Sequence, residues 1–535
     1  MRLRLLLLVT FSLSITVHQT VIAQIEAKGT VFEDANQNGV MDAGEIGISE
    51  VAVSNGKEVV LTDSKGEYSI SINENDATVF VIKPAGYALP VNDLNQPQFF
   101  YIHKPNGSPE LEYEGVKPTG VLPDAINFPL LKDESGDSFK VLLFGDPQPY
   151  SEQEVDYFDR DIVSELVGAS GYEFGITLGD IVGDDLDLYQ PYNQSILRIG
   201  LPWFNVYGNH DMNFDAETDQ YADETFEVTF GPATYSFNEG KAHFIILDDV
   251  IYPRTDGESG YIGGFTETQL EFIENDLKHV PKDHLIVLAF HIPIFLPEGG
   301  KTFRISDRNR LFDLLKDYPQ TLSLSAHTHI QKFHFFDEEE GWQRLSPHIH
   351  YNVGTTNGDW WSGVPNDRDV PETLMRDGTP NGYAILNIDG NEFTIDYKVA
   401  NEPADYVMNM WGPKVVAQNT WHGAELYVNY FLGNEFTSVE YRIADQDEEW
   451  RDMAKVAEHD PHVAKLRQKW DLLESLPEDG RRPSNPVESD HLWKMRVPNN
   501  LPLGEQVIEI KVTDMFGRTF NESFSYKVAE PGYQR

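Results

Sequence analysis

Five short apolar runs in this chain each break at a residue that can hold a metal ion, and that pattern limits the possible folds more than any other feature. Val141-Leu142-Leu143-Phe144 leads into Gly145-Asp146-Pro147-Gln148, and Phe174-Gly175-Ile176-Thr177-Leu178 into Gly179-Asp180. Trp203 to Tyr207 leads into Gly208-Asn209-His210-Asp211, Leu285 to Phe290 into His291, and Leu322 to Ala326 into His327-Thr328-His329. Runs of this length bounded by glycine are what buried strands look like in sequence. In an open α/β sheet, loops at the carboxyl ends of parallel strands build the site. Five such ends carrying oxygen and nitrogen donors predict a dinuclear metal centre there.

Taken singly, each residue has an ordinary explanation. Asp146 and Asp180 after a strand suit helix caps, and a lone His291 before Pro293 suits a packed loop. The set as a whole does not reduce to these explanations. Between the runs, helical spacing recurs: Tyr157, Phe158, Ile162, Val163 and Leu166 fall on one face, and Thr266-x-x-Gln269 is a capping-box signature.

The ordered set Asp146-x-Gln148, Gly179-Asp180, Gly208-Asn209-His210-Asp211, His291 and His327-x-His329 resembles the calcineurin-like metallophosphoesterase family. The family pattern is D-x-H, G-D, G-N-H-[DE], a lone His and G-H-x-H, and the likeness spans about 260 residues. It is similar in particular to a bacterial subgroup with β-domains on either side of the core. The matching stretches are Phe100 to Pro105, Gly354 to Trp361 and Asp377 to Tyr383.

The resemblance implies a four-layer αββα core and hydrolysis of a phosphate ester by a hydroxide bridging two divalent ions of the Mn, Fe or Zn class. It implies Asp146, Gln148, Asp180 and His329 around one ion. Asp180, Asn209, His291 and His327 would surround the other, with Asp180 shared. His210 and Asp211 would be the catalytic pair, His210 standing outside the metal shell and acting on the leaving-group oxygen. Two departures from the family matter. Gln148 replaces the usual His, a weaker and harder donor. Gly183 stands where protein phosphatases carry an acid and purple acid phosphatases a tyrosine, leaving Asp184 or Asp185 to orient His210. Trp360, Trp361, His348 and His350, with Asp377 to Tyr383, are expected to wall the substrate pocket.

Composition narrows the setting. Arg2 and Arg4, then Leu5 to Val9, then Val21-Ile22-Ala23 form a signal-peptide pattern over residues 1–23, predicting export to the periplasm or exterior. No later run approaches the length of a membrane span. The absence of cysteine excludes disulfides, thiolate catalysis and zinc-thiolate sites. A net charge of −46 argues against nucleic acid as partner. It also means that a phosphate site needs its own local positive charge, which metal ions supply. The expected partner is a small-molecule or cell-envelope phosphate ester; oligomeric state is not legible.

Residues 24–131 alternate in short segments separated by Gly, Asn and Asp, predicting an all-β domain. Through Gly29 to Asp34, Asn38-Gly39, Gly44-Glu45, Thr62-Asp63 and Gly66 to Tyr68 this part resembles the immunoglobulin-like B-type repeats of bacterial surface adhesins, which implies an immunoglobulin-like β-sandwich. Asp34, Asn36, Asn38, Asp42 and Glu45 fit a twelve-residue calcium loop. Residues 139–398 form the phosphoesterase core and 400–535 a second β-sandwich, with a more helical insert around Met453 to Leu473. The rival reading is a cell-surface or glycan-binding module with a vestigial metal site, for which an exposed Trp360-Trp361 pair would speak.

Overall fold

The computed structural model describes residues 24–532 apart from 134–135, 255–256, 296–301, 447–448 and 478–479. The expected signal segment, residues 1–23, lies outside the described residues. Among those described, no helix is long and apolar enough to cross a membrane.

Two sheets form the centre. One runs Trp203–Val206, Phe174–Leu178, Ser138–Phe144, Gly382–Asp389, Glu392–Val399, with the first three strands parallel. The other runs Tyr235–Glu239, Ala242–Ile246, Leu285–Ala289, Gln320–Ser325, His348–Asn352, Lys332–Phe336, parallel through its four inner strands. Their inner strands are buried on both faces, which is why they read as unbroken apolar runs. Aromatic rings bind the sheets face to face: Phe174 meets Phe237 and Phe244 edge-on at 5.4 Å, and Phe204 stacks on Phe237 at 4.3 Å.

Helices cover the outer faces. Phe158 of Glu152–Asp161 packs on Phe144 and on Tyr192 of Tyr189–Leu197. Phe312 of Ile305–Leu315 packs on Phe336 and Trp342, and Glu267–Asp276 lies beside that helix. The layers are therefore helix, sheet, sheet, helix. Thr266 and Gln269 make both halves of the expected capping box. Parallel register brings Phe144, Leu178, Val206, Ala289 and Ser325 to one edge, so the five ligand-bearing loops leave from the same side.

The flanking regions are β-rich. Before the core, one sheet centres on Gln24–Glu33 and another on Ala52–Ser54 and Ala77–Val81. Tyr68, Ile70 and Ile72 alternate inward along Glu67–Asn73. In the 34–45 loop the proposed calcium donors lie together, each tied to the loop itself. Asp34 accepts from the amides of Asn38 and Gly39, Glu45 from Ala35 and Asp42, and Asp42 from the side chains of Asn36 and Asn38. After the core, two more sheets hold the last 130 or so residues. The helical insert expected from Met453 is shorter than anticipated. Ala454–His459 is a strand, and the helix Pro461–Asp471 starts only where Asp460 caps it and Pro461 takes its first turn.

Asp377 to Tyr383 does not gather at the metal ligands as expected; Pro380 and Asn381 instead line a separate cleft with Asp161, Arg368 and Lys465. Asp377 and Thr379 are fully buried, and Asp377 accepts from the Gln331 amide at 2.7 Å and pairs with His491 at 3.1 Å. A carboxylate so placed ties the C-terminal sheets to the segment that follows His329.

Candidate metal centre

The centre is built from backbone that turns sharply as each strand ends. Asp146, Gln148, Asp180, His327 and His329 all have positive φ, a conformation costly for residues with a Cβ. Two glycines make room for these turns. A Cβ on Gly208 would lie 2.1 Å from the Asp180 amide nitrogen, and one on Gly179 would lie 2.5 Å from His291 Nδ1.

The side chains converge. The ligand atoms of Asp180, His291 and His327 lie within 4.8 Å of one another. His291 Nε2 stands 3.1 Å from Asp180 Oδ2, 3.2 Å from Asn209 Oδ1 and 3.2 Å from His327 Nδ1. One N–H cannot serve three acceptors that converge on it; a cation among them can. His291 Nδ1 faces the Leu178 carbonyl at 2.8 Å, and His329 Nδ1 the Gly358 carbonyl at 3.1 Å. Each ring's other nitrogen is thus left to the centre. His329 Nε2 lies 3.8 Å from Asp146 Oδ1, and Asp146 accepts the His327 amide at 2.9 Å.

The electrostatics suit a cation. Burial lifts the Asp146 carboxyl to about 8, against the pull of His291. Burial also pushes Asp180 up, but His291 and His210 outweigh it and hold the group well below the usual carboxylate range. His327 and His329 are pushed down to about 3, mainly by burial, so both offer neutral lone pairs. Burial alone would lower His291; Asp180 reverses this and lifts it to about 10. These residues fit divalent cations in donor type, charge and convergence.

Gln148 is placed differently from the ligands. Its Oε1 accepts from Trp360 Nε1 at 2.6 Å, and its Nε2 donates to Asp180 Oδ2 at 3.3 Å. The indole N–H can only donate, so it fixes which end of the amide is oxygen. Gln148 thereby turns its nitrogen, not its oxygen, towards the bridging carboxylate.

His210 stands beside the cluster and outside it. Its amide donates to Asp180 Oδ1 at 2.8 Å, and its Nδ1 lies 2.6 Å from Asp184 Oδ1. Burial lowers its pKa, but Asp180 and Asp184 more than offset this, and the net shift is upward. Asp184 is thus the acid that orients His210. Asp185 instead caps the next turn, accepting from the Asp187 amide.

Asp211 was expected to be catalytic, and the structure assigns it other work. Fully buried, it accepts from the Ile181 amide at 3.1 Å, the Gly208 amide at 2.9 Å and the Tyr189 hydroxyl at 3.1 Å. These bonds lock the two loops that carry Asp180 and Asn209 to each other. The four expected pocket residues also divide. Trp360 is half-buried at the centre, stacked on His329 with 4.1 Å between ring centroids. Trp361 is 2% exposed and packs on Tyr157. His348 and His350 are fully buried inside the second sheet, bonded to Thr321, Ser323 and Ser325. None of these last three lines a pocket.

Asp249 was missed from the sequence. Fully buried, it accepts the amides of His291 and Ile292 and sets the His291 loop. Its signal was present: Ile245-Ile246-Leu247 breaks at Asp248-Asp249, a sixth apolar run ending at a possible metal donor.

Comparison with known proteins agrees with this geometry. Residues 139–331 match the model for calcineurin-like phosphoesterase, 35–114 the model for the N terminal of calcineurin-like phosphoesterase, and 350–520 that for its C terminal. The chain belongs to the calcineurin-like phosphoesterase family. As such it is a metal-dependent hydrolase acting on phosphoester bonds. No curated protein matches it. Among solved structures it is similar to a purple acid phosphatase from yellow lupin seeds, at 12% identity over 71% of this chain and 88% of that one, with a TM-score of 0.37. It is also similar to a cold-active protein-tyrosine phosphatase of a psychrophilic Shewanella, at 11% identity over 65% and 98% of the two chains, with a TM-score of 0.22. Overlaps this loose carry no argument about the present site.

Proposed function

We propose that this phosphoesterase is an exported two-metal enzyme in which His210 assists the leaving group of a small-molecule or cell-envelope phosphate ester. The observation that carries the reading is the placement of His210, braced by Asp184 at 2.6 Å and by Asp180 through its amide, next to the ligand cluster but not in it. A binding protein has no use for an imidazole so held. The glycan-binding alternative loses one of its supports, the exposed tryptophan pair, because Trp361 is buried.

In this reading Asp146, Asp180 and His329 hold one divalent ion, and Asp180, Asn209, His291 and His327 hold the other. Two such ions would supply Lewis-acid chemistry there, making a water nucleophilic near neutral pH and offsetting charge on the phosphoryl group. The remaining work falls to this chain's own groups. Asp184 accepts from Nδ1 of His210 and so leaves Nε2 as the atom that meets the leaving-group oxygen and carries its proton. Asp211 and Asp249 hold the loop amides so that the donors do not drift apart. Trp360 closes one side of the centre over His329.

The test is metal analysis of the purified protein alongside a panel of phosphate monoesters and diesters. Two ions per chain with turnover of at least one ester class is the expected result. Two tightly bound ions with no turnover of any ester would refute the enzyme reading. Export is tested by cell fractionation and N-terminal sequencing, which should find a mature chain beginning after Ala23.

A further inference from the structure

Trp360 has two faces, and both are taken. The His329 ring lies against one, 4.1 Å away and tilted by 29°. The guanidinium of Arg481, its carbon 4.6 Å from the indole centroid, must then lie on the other. Arg481 is far away in sequence, in the part matched by the C-terminal family model.

Its position is fixed by backbone contacts. The Gly363 amide donates to the Arg481 carbonyl at 2.9 Å, the Ser484 amide to Asp359 Oδ2 at 2.6 Å, and the Val487 amide to the Arg376 carbonyl at 3.0 Å. Residues 481–487 are therefore laid along the Asp359-Trp360-Trp361 turn. Arg481 is exposed as a residue, and among the described residues no side chain accepts a hydrogen bond from its guanidinium or pairs with it. Its charge also reaches two neighbouring side chains. Burial raises the pKa of Tyr150 and of Glu154, and Arg481 works against both shifts. Tyr150 in turn meets His210 edge-on at 6.0 Å. Arg481 thus stands against Trp360 on the face turned away from His329, at the edge of the centre.

A chain with a net charge of −46 has many acids to spare for pairing. An arginine held flat on an indole with its N–H fork free is instead ready for an incoming anion, since the fork matches phosphate and carboxylate oxygens in pairs. It is not placed to grip the scissile phosphoryl group. Trp360 lies between it and the nearest metal-ligand candidate, His329. What it can reach is a neighbouring group on the same substrate.

Resting on the proposed reaction, we infer that Arg481 is a specificity residue that binds a second anionic group of the substrate. The preferred substrates are then phosphate esters or anhydrides bearing another phosphate or a carboxylate close to the scissile phosphate.

Binding to the manganese-loaded protein tests this without turnover. Methylphosphonate offers one anionic group, methylenediphosphonate adds a second phosphonate and phosphonoacetate adds a carboxylate. Isothermal titration of the three into wild type, Arg481→Ala and Arg481→Lys gives each protein's preference for two anions over one. Metal content is checked after each run, so that chelation is the same on both sides of the comparison. Wild type should prefer at least one doubly anionic ligand. Arg481→Ala should reduce that preference roughly 10–100-fold, the worth of a charged hydrogen-bonded pair. Arg481→Lys should recover part of it, because the charge remains while the fork is lost. Whichever ligand loses more names the second group. An unchanged preference in Arg481→Ala overturns the inference, as does an equal loss for all three ligands, which would mark Arg481 as a mere prop for Trp360. If metal-loaded wild type fails to bind methylphosphonate, the proposed reaction falls, and this inference falls with it.

Discussion

His327-x-His329 and His348-x-His350 have the same spacing and sit near the ends of neighbouring strands, yet they have opposite fates. The first pair lies beyond Gln320–Ser325, where both residues take positive φ and both rings enter the metal centre. The second pair lies within the strand His348–Asn352 and is sealed in the sheet. There Ser323 bonds both His348 and His350, at 2.8 and 2.7 Å, and Ser325 bonds His350 at 2.9 Å. From Ser325 the chain of bonds continues through Asn352 to Thr328 and the Ile330 carbonyl, on either side of His329. One pair is the site; the other is part of its foundation. Spacing cannot separate the two roles. Position relative to the strand end does.

The largest difference between the pairs should appear when each is truncated. His327→Ala should cost metal, and roughly 10³-fold or more in turnover, the scale on which a bound metal ion stabilises charge in the transition state. Asp180→Asn should be worse still, because one carboxylate serves both positions. His350→Ala should keep its metal stoichiometry when folded. Elemental analysis beside steady-state kinetics decides this, and loss of metal from folded His350→Ala would erase the distinction.

His210 tests the border of the metal cluster from the other side. His210→Ala should lose ~10²–10⁴-fold in turnover, as expected for general acid–base work, with both ions retained. Asp184→Asn should show a smaller loss. A fall in metal content in step with activity would put His210 inside the shell.

The ligand set was legible because its residues are local to strand ends, and strand ends are marked by apolar runs and glycines. Asp146, Asp180, Asn209, His291, His327 and His329 all come together as the sequence suggests. Of the wall of the site only Trp360 was legible. Trp360 meets Gln148 and Arg481 through contacts between segments more than a hundred residues apart, and no periodicity records such a contact. Asp211 misled for a related reason: beside His210 in sequence, it points into the turn below, where amide donors claim it. The fold was readable at the level of layers, since doubly buried strands and capped helices leave strong patterns. The insert after Met453 was not, because Ala454–His459 is strand by virtue of pairing with Glu488–Arg496 rather than by its own composition.

The buried pair should also leave a mark on stability. His350→Ala takes one partner from each of the Ser323 and Ser325 hydroxyls and opens a cavity, so a loss of about 2–4 kcal/mol is expected by denaturant titration. The pH dependence carries a definite sign. Burial depresses His348 from 6.5 to about 3 in the fold, and His350 well below its ordinary value. A depressed pKa means that the unfolded chain binds more protons once pH drops below about 6.5. The stability these residues contribute is complete above that pH and is lost as pH falls towards 3. His348→Gln should flatten the decline between pH 6.5 and 4 relative to wild type. An unchanged slope would show that the pair is not buried neutral.

The smallest effect belongs to Gln148, and it concerns how the foundation meets the site. The amide oxygen is held by Trp360 Nε1 and the amide nitrogen by Asp180, so the residue links the pocket wall to the bridging carboxylate. Trp360→Phe keeps an aromatic face on His329 while deleting the N–H. Gln148→Ala deletes the other partner. If the hydrogen bond is what matters, each change should lower turnover by a few-fold to about tenfold, the range of one net hydrogen bond of 0.5–1.5 kcal/mol. The double variant should then be no worse than either single one, because the same link is broken in all three. If Gln148 is a metal ligand through its oxygen, the outcome differs in kind. Gln148→His would tighten Zn²⁺ at the Asp146 and His329 position, since imidazole is the stronger donor. Trp360→Phe would also raise metal affinity there, by releasing an oxygen that the indole now competes for. Calorimetric titration of the metal-stripped variants with Zn²⁺ and Mn²⁺ distinguishes the two arrangements. Additive losses in the double variant, together with tighter Zn²⁺ binding by Gln148→His, would return Gln148 to the metal shell.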